Sequence, residues 1–105
     1  MYRAKRGKDE KKVATISMFF GIIVSMICEA GCKHSKPHVH VWYQGHQASF
    51  DIATGKIFAK SKNGFPERQA GWVKTWIELH QDELLANWEI ALKGGEVYKI
   101  NPLQK

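Results

Sequence analysis

The chain has 105 residues, of which 44% are hydrophobic and 25% charged, as in one small globular domain. Its net charge of +6 is unevenly distributed along the chain. Residues 1–12 hold six Lys or Arg and two acidic residues, whereas the remaining residues hold ten Lys or Arg and eight acidic residues. A basic tail without a basic helix face does not predict specific nucleic-acid recognition, and two cysteines exclude a disulfide scaffold and favour a reduced, cytoplasmic setting.

Residues 1–12 show no periodic apolar pattern. We therefore expect a disordered basic N-terminal extension over residues 1–12, followed by a single α+β domain over residues 13–103.

The run from Val13 to Cys28 is uncharged and allows two interpretations. A basic segment before an apolar run is typical of secretory signals, and the residues up to Cys32 are similar to a lipoprotein cleavage box, so the chain would be a small lipoprotein processed there. However, Glu29 stands where such boxes carry an aliphatic residue, and the run is short for a membrane span. We favour a buried strand centred on Phe19 to Ile27, with Gly21 as a bend, and no membrane association.

The segment around Pro37 contains three of the five histidines, followed by a β-branched and aromatic run. Side chains alternate along a strand, so His38 and His40 should share one face, with Cα atoms about 6.5–7 Å apart. Pro37 favours an extended conformation at Lys36, which would bring His34 in from a loop.

Three interpretations of these histidines are open. His38 and His40 would be structural strand residues that pack against helix aromatics. Alternatively, His34, His38 and His40 would bind a metal or an anion, with Zn²⁺ as a suitable cofactor for neutral imidazoles. In the third, His38 and His40 would be the catalytic acid and base on an RNA phosphodiester, while Lys33 or Lys36 stabilises developing charge, as in a small ribonuclease. Whether the chain is an enzyme stays open.

Three further strands are expected, because β-type runs alternate with turn residues. The first covers residues 39–43, a Gln44-Gly45 turn leads to the second at residues 46–52, and the third covers residues 56–60. His46 should be exposed after its turn. The predicted sheet is an antiparallel meander.

Two helical segments follow Pro66, which suits a first turn. The first presents Trp72, Trp76 and His80 at intervals of four residues, as an amphipathic stripe. The second covers residues 82–93 with Asp82 as N-cap, and Gly94-Gly95 ends it.

Trp76 and Trp88 are expected in the core, and an exposed indole at either position would mark a protein interface. Residues 97–100 would return as a last strand. The predicted fold is α+β, a small antiparallel sheet of three to five strands with two helices packed on one face.

Taken together, the motifs resemble the bacterial domain of unknown function 4160 family over about residues 13–103. The matching elements are Thr15-Ile16-Ser17, Phe20-Gly21-Ile22, His34, Pro37-His38-Val39-His40-Val41, Asp51-Ile52-x-Thr54-Gly55, Trp76-x-Glu78-Leu79-His80, Glu83-Leu84 and Asn87-Trp88. The chain differs from the family pattern at Cys32, Lys33 and Lys36, where acidic residues and a second proline are usual. The lysines favour an anion over a hard metal ion.

The resemblance implies no established activity. Proteins that resemble this family are small and look cytosolic. Their genes often lie beside a gene for a second small family, domain of unknown function 2442. The resemblance therefore implies a partner protein encoded by an adjacent gene. The two proteins would form a toxin–antitoxin-like unit that acts through protein–protein contact.

Overall fold

The computed structural model describes residues 12–28 and 35–104, which form five strands and two helices. The strands are β1 (Lys12–Phe19), β2 (Ile22–Cys28), β3 (His38–Tyr43), β4 (His46–Asp51) and β5 (Ile57–Lys60), and the helices are α1 (Glu67–Leu79) and α2 (Gln81–Leu92). Except for Lys12, the predicted N-terminal extension lies outside the described residues. In the part of the chain that is described, neither helix has the length and apolar character needed to span a membrane.

The five strands form one antiparallel sheet in the order β1-β2-β3-β4-β5, so β3 lies at its centre. Every neighbouring pair is consecutive in sequence, which is the meander that the alternating strands and turns predicted. With the two helices, this sheet confirms the predicted α+β fold class. The strand that carries His38 and His40 is therefore hydrogen-bonded on both sides, and this fixes the direction of its side chains.

The prediction of one strand between Val13 and Cys28 is wrong, because the run folds into the β1–β2 hairpin. Its turn consists of Phe20 and Gly21, which have φ angles of 52° and 79°. A two-residue hairpin turn of this kind needs positive φ at both central positions. Gly21 meets that requirement without strain, whereas Phe20 is a bulky residue in a conformation that side chains disfavour.

The hydrophobic core lies between the sheet and the helices. Val39 and Val41 of β3 are fully buried, as are Phe50 of β4 and Trp76 and Ile77 of α1. Burial of each such side chain contributes about 1.5–3 kcal/mol. The core therefore fixes one face of β3 against the helices and turns the alternate residues to the opposite face.

The helices are separated at His80, which ends α1 and precedes α2. Pro66 occupies the N-cap position of α1, one residue before its first turn. The sequence predicted Asp82 as the N-cap of α2, but Asp82 lies in the first turn of the helix. A negative charge there interacts favourably with the helix dipole. Gly94, with a φ angle of 78°, follows α2 as expected for a helix end.

The predicted strand at residues 97–100 is not formed. Asn87 of α2 holds the backbone of Tyr98 by donating to its carbonyl oxygen (2.8 Å) and accepting from its N–H (3.0 Å). The N–H of Ile100 donates to the carbonyl oxygen of Ile16 in β1 (2.8 Å). These contacts hold the segment beside β1, but the Asn87 side chain takes the backbone groups of Tyr98 that a strand ladder would use.

Candidate functional site on the open face of the sheet

The face of the sheet opposite the buried Val39 and Val41, called here the open face, carries the histidines, and α2 reaches its His38 end through Trp88. Along β3, Val39 and Val41 are buried beneath the helices, whereas His38, His40 and Trp42 lie on the open face and are half-buried. This is the arrangement that strand alternation predicted for His38 and His40. The strand therefore presents three aromatic rings in one row.

The structure brings the rings of His38 and His40 together, with centroids 5.0 Å apart and planes at 65°. His38 also contacts the ring of Phe58 on β5, at 5.6 Å, and that of Trp88 on α2, at 5.1 Å. His40 stacks on Trp42 at 6.2 Å. The imidazole pair is thus supported by aromatic rings from three elements.

A hydrogen bond to the backbone orients His38. Its Nδ1 lies 2.8 Å from the carbonyl oxygen of Lys36. A carbonyl oxygen only accepts, so this bond assigns the proton of the neutral imidazole to Nδ1 and leaves the lone pair on Nε2. An imidazole held in this way can accept a proton or ligate a metal ion at Nε2.

The neighbour of His40 is a hydroxyl group. Ser49 on β4 is its cross-strand partner, and the Ser49 Oγ lies 3.5 Å from the Nδ1 of His40. A cavity of about 240 Å³ adjoins His40 and is also lined by Gln47, Ser49, Lys60 and Ser61. His40 therefore lies beside a cavity with several polar side chains on one side and against the rings of Trp42 and His38 on the other.

Lys36 lies at the His38 end of the open face. Its Nζ is 3.4 Å from an Asp51 carboxylate oxygen and 4.3 Å from the centroid of the Phe58 ring. The other Asp51 oxygen accepts from the N–H of Ala53 (2.8 Å). The predicted anion-stabilising lysine is therefore already paired with a carboxylate, which reduces its attraction for an anion.

The sequence analysis missed Asp51, Phe58 and Ser49 as neighbours of the histidines. Asp51 and Ser49 are the cross-strand partners of His38 and His40, and Phe58 lies at the irregularity in the β4–β5 pairing. Their proximity depends on strand register, which no local spacing pattern encodes. The one sequence feature that could have indicated these neighbours is the meander itself, because it places β4 next to β3 and β5 next to β4.

The third predicted ligand, His34, lies outside the described residues, as do Lys33 and Cys32. Within the described ranges 12–28 and 35–104, no group of three or more His, Cys, Asp or Glu side chains is arranged to hold a metal ion. The three-histidine zinc site therefore stays a prediction.

Trp76 and Trp88 do not present exposed indoles. Trp76 is fully buried and donates from Nε1 to the carbonyl oxygen of Asn101 (2.8 Å), and Trp88 is 3% exposed. The interface prediction for these two residues depended on exposure, and burial in the core removes that condition. Their rings stabilise the fold, and Trp88 also supports His38.

The remaining histidines lie apart from the pair. His46 is half-buried, not exposed as predicted, because its Nδ1 bonds to the carbonyl oxygen of Gly64 (3.0 Å). His80 bonds to Glu83 and lies 5.5 Å from the Trp76 ring. Both have structural partners.

A row of apolar side chains crosses the open face next to the histidines. Met18, Ile23 and Trp42 are cross-strand neighbours on β1, β2 and β3. Met18 is 60% exposed and Ile23 is 39% exposed. We call these three residues the apolar row. An exposed apolar group next to polar histidines is typical of a surface that binds another molecule.

The fold and this surface define a small α+β protein in which the helices cover one face of the sheet and the other face is partly exposed. A family model described as a domain of unknown function, DUF4160, matches residues 21–89, about two thirds of the chain. The chain therefore belongs to this family. Neither the curated proteins nor the solved structures with which it was compared gave a match.

Proposed function

We propose that the chain is one component of a two-protein, toxin–antitoxin-like unit and binds the partner encoded by the adjacent gene through the open face. The observation that carries this proposal is the apolar row, which places Met18, Ile23 and Trp42 side by side on a face that the helices leave exposed. Exposed apolar groups gain about 25 cal/mol for each Å² removed from water.

The surroundings of the apolar row indicate the chemistry of the partner. The described strands β1 and β2 carry no charged residue from Val13 to Cys28, whereas Lys36, paired with Asp51, lies at the His38 end of the open face. The whole chain carries a net charge of +6. We expect a partner surface with an apolar centre and acidic residues at its rim, since such a surface steers association with a basic protein.

Partner binding is tested by co-expression of the chain with the product of the adjacent gene. The wild-type chain should co-purify with this product, and Ile23→Glu should abolish the complex because it places a charge in the apolar row. Leu79→Glu is the matched control, since Leu79 is 66% exposed on α1 and lies away from the open face. Equal loss in both variants, or retention in Ile23→Glu, would overturn the proposal.

A second candidate function is acid–base cleavage of RNA, favoured by the 5.0 Å separation of the two imidazoles and by the hydrogen bond that orients His38. In this reaction the Nε2 of His38 takes the proton of a 2′-hydroxyl, and the 2′ oxygen forms a bond to phosphorus. The bond from phosphorus to the 5′ oxygen breaks, and protonated His40 donates a proton to that oxygen. The products are a cyclic phosphate and a 5′-hydroxyl, without a cofactor.

RNA cleavage is tested with the purified full chain and with cells that express it alone. Expression should be toxic, and His40→Ala should relieve toxicity while the circular dichroism spectrum and melting temperature stay near those of the wild type. His46→Ala is the control for loss of a histidine elsewhere. If His40→Ala and His38→Ala remain folded and fully toxic, the histidines are not catalytic.

A further inference from the structure

A second surface lies at the β1–β2 turn, on the helix side of the sheet and away from the open face. Phe20 occupies the first turn position with a φ angle of 52°, where Asn or Gly is usual. A left-handed conformation is strained for a residue with a side chain. Such strain persists where the surroundings fix the residue, and it points to a role for the side chain.

The Phe20 ring stands at the edge of a concavity. Its ring packs edge-to-face on Trp72 of α1, with centroids 5.2 Å apart, yet Phe20 is 37% exposed. Together with Tyr43 and Leu103, these rings line a concavity of about 560 Å³, a volume in the range of small-molecule sites. The strained turn therefore places an aromatic wall beside a half-buried indole.

The polar groups of the concavity include one cation. The Arg68 guanidinium lies 5.9 Å from the centroid of the Trp72 ring. No carboxylate among the described residues is within salt-bridge distance of Arg68. Gln69, Thr75 and Gln104 complete the lining. Aromatic walls, two carboxamides and a cation without an acidic partner match a flat heteroaromatic ring that carries an anionic group.

We propose that this concavity binds a nucleotide, with the base against Phe20 and Trp72 and the phosphate on Arg68. The carboxamides of Gln69 and Gln104 offer both donors and acceptors, which a base edge satisfies and a hydrocarbon ring does not. A guanidinium is well suited to phosphate because it presents paired N–H donors. This site is independent of the proposed partner interface, since the two surfaces share no residue.

Calorimetric titration of the full chain with the four nucleoside monophosphates tests the site. At least one should bind saturably, and Arg68→Gln should weaken its binding about tenfold. Phe20→Asn should weaken it by a similar factor through loss of base stacking, about tenfold. Because Asn tolerates the left-handed turn, this variant should melt no more than a few degrees below the wild type. Lys74→Gln, on the same helix but outside the concavity, should leave binding unchanged.

Three comparisons complete the experiment. Inorganic phosphate and the unphosphorylated nucleosides should each bind much more weakly than the monophosphate. A 5′-phosphorylated trinucleotide that binds more tightly than the monophosphate would identify an RNA end as the source of the ligand, and equal or weaker binding would identify a free nucleotide. Absence of saturable binding by every monophosphate at about 1 mM, or equal binding of phosphate alone, would overturn the proposal.

Discussion

The Nδ1 of His38 donates to the carbonyl oxygen of Lys36, two residues earlier in the chain, over 2.8 Å. Because this bond is made by the residue next to Pro37, the loop before β3 sets the orientation of the imidazole. The bond leaves the lone pair of the neutral imidazole on Nε2, and the centroid of the His40 ring lies 5.0 Å from that of His38. The candidate acid–base chemistry depends on this orientation.

The protonation site of His38 can be measured directly. We expect the neutral imidazole of His38 to carry its proton on Nδ1, because the Lys36 carbonyl oxygen can only accept. Nitrogen-15 NMR of the imidazole, recorded at a pH where the ring is neutral, distinguishes the two tautomers by their shifts and couplings. A proton on Nε2 would contradict the hydrogen bond and remove His38 as the candidate base.

One substitution in the β3–β4 turn should increase the stability of the fold. Gln44 is exposed and has a φ angle of 43°, followed by Gly45 at 83°. Since Asn tolerates the left-handed conformation better, Gln44→Asn should stabilise the fold by about 0.5–1 kcal/mol. Urea unfolding measures the change. Gln47→Asn, at an exposed strand position, should instead be neutral or destabilising, and a loss of stability in Gln44→Asn would contradict the assigned turn.

Gly55 should resist substitution for two separable reasons. It has a φ angle of 75°, and an added Cβ would lie 2.8 Å from the Lys74 Cγ. Gly45 has a similar φ with no atom within 4 Å of such a Cβ. Gly45→Ala should therefore cost only the conformational term, about 1–2 kcal/mol, and Gly55→Ala should cost more.

Combination with Lys74→Ala isolates the steric part. If the clash is real, the double variant of Gly55→Ala and Lys74→Ala should be destabilised about as much as Gly45→Ala alone, after correction for Lys74→Ala. Thermal and urea unfolding give these differences. A Gly55→Ala cost equal to or below that of Gly45→Ala would show that the helix does not approach this turn as described.

Substitution of Asn87 should destabilise the fold, and for Asn87→Asp the loss of stability should depend on pH. It is 2% exposed and holds both backbone groups of Tyr98. Asn87→Ala should cost about 1–3 kcal/mol because it removes both part-buried hydrogen bonds to the Tyr98 backbone. Asn87→Asp would bring a carboxylate to the Tyr98 carbonyl oxygen, so the folded state should raise the pKa of the new carboxyl above its unfolded value.

The sign of the pH effect follows from this raised pKa. When a carboxyl group has a higher pKa in the folded state than in the unfolded state, the free energy of unfolding of the protein falls as pH rises above the unfolded pKa. Asn87→Asp should therefore be less destabilised at pH 4 than at pH 7, relative to the wild type at each pH. Urea unfolding at both pH values checks this. A pH-independent difference would show that position 87 is not buried against Tyr98.

How far the sequence predicts this fold differs between elements. The β3–β4 hairpin and the shared face of His38 and His40 followed from alternation and from Gln44-Gly45. The β1–β2 hairpin did not, because Phe20 gives no turn signal and the surrounding run is uniformly apolar. Local pattern also could not show that Asn87 would hold Tyr98 away from strand pairing, since that contact joins residues from different elements.

The candidate site shows the same division. Strand alternation predicted which residues of β3 face away from the core, whereas the Lys36–Asp51 ion pair and the Ser49 neighbour depend on strand register. The apolar row also depends on register, because it joins Met18, Ile23 and Trp42 from three strands. Sequence reasoning identified the histidines and missed the surface beside them.

Methyl NMR of the complex shows whether the partner binds the open face. With labelled Met, Ile and Leu methyl groups, addition of the adjacent gene product should shift the signals of Met18 and Ile23, while Leu79 on α1 stays unchanged. Shifts confined to Leu79 and Leu85 on the helices, with the signals of Met18 and Ile23 unchanged in a formed complex, would show that the partner binds the helices and not the open face.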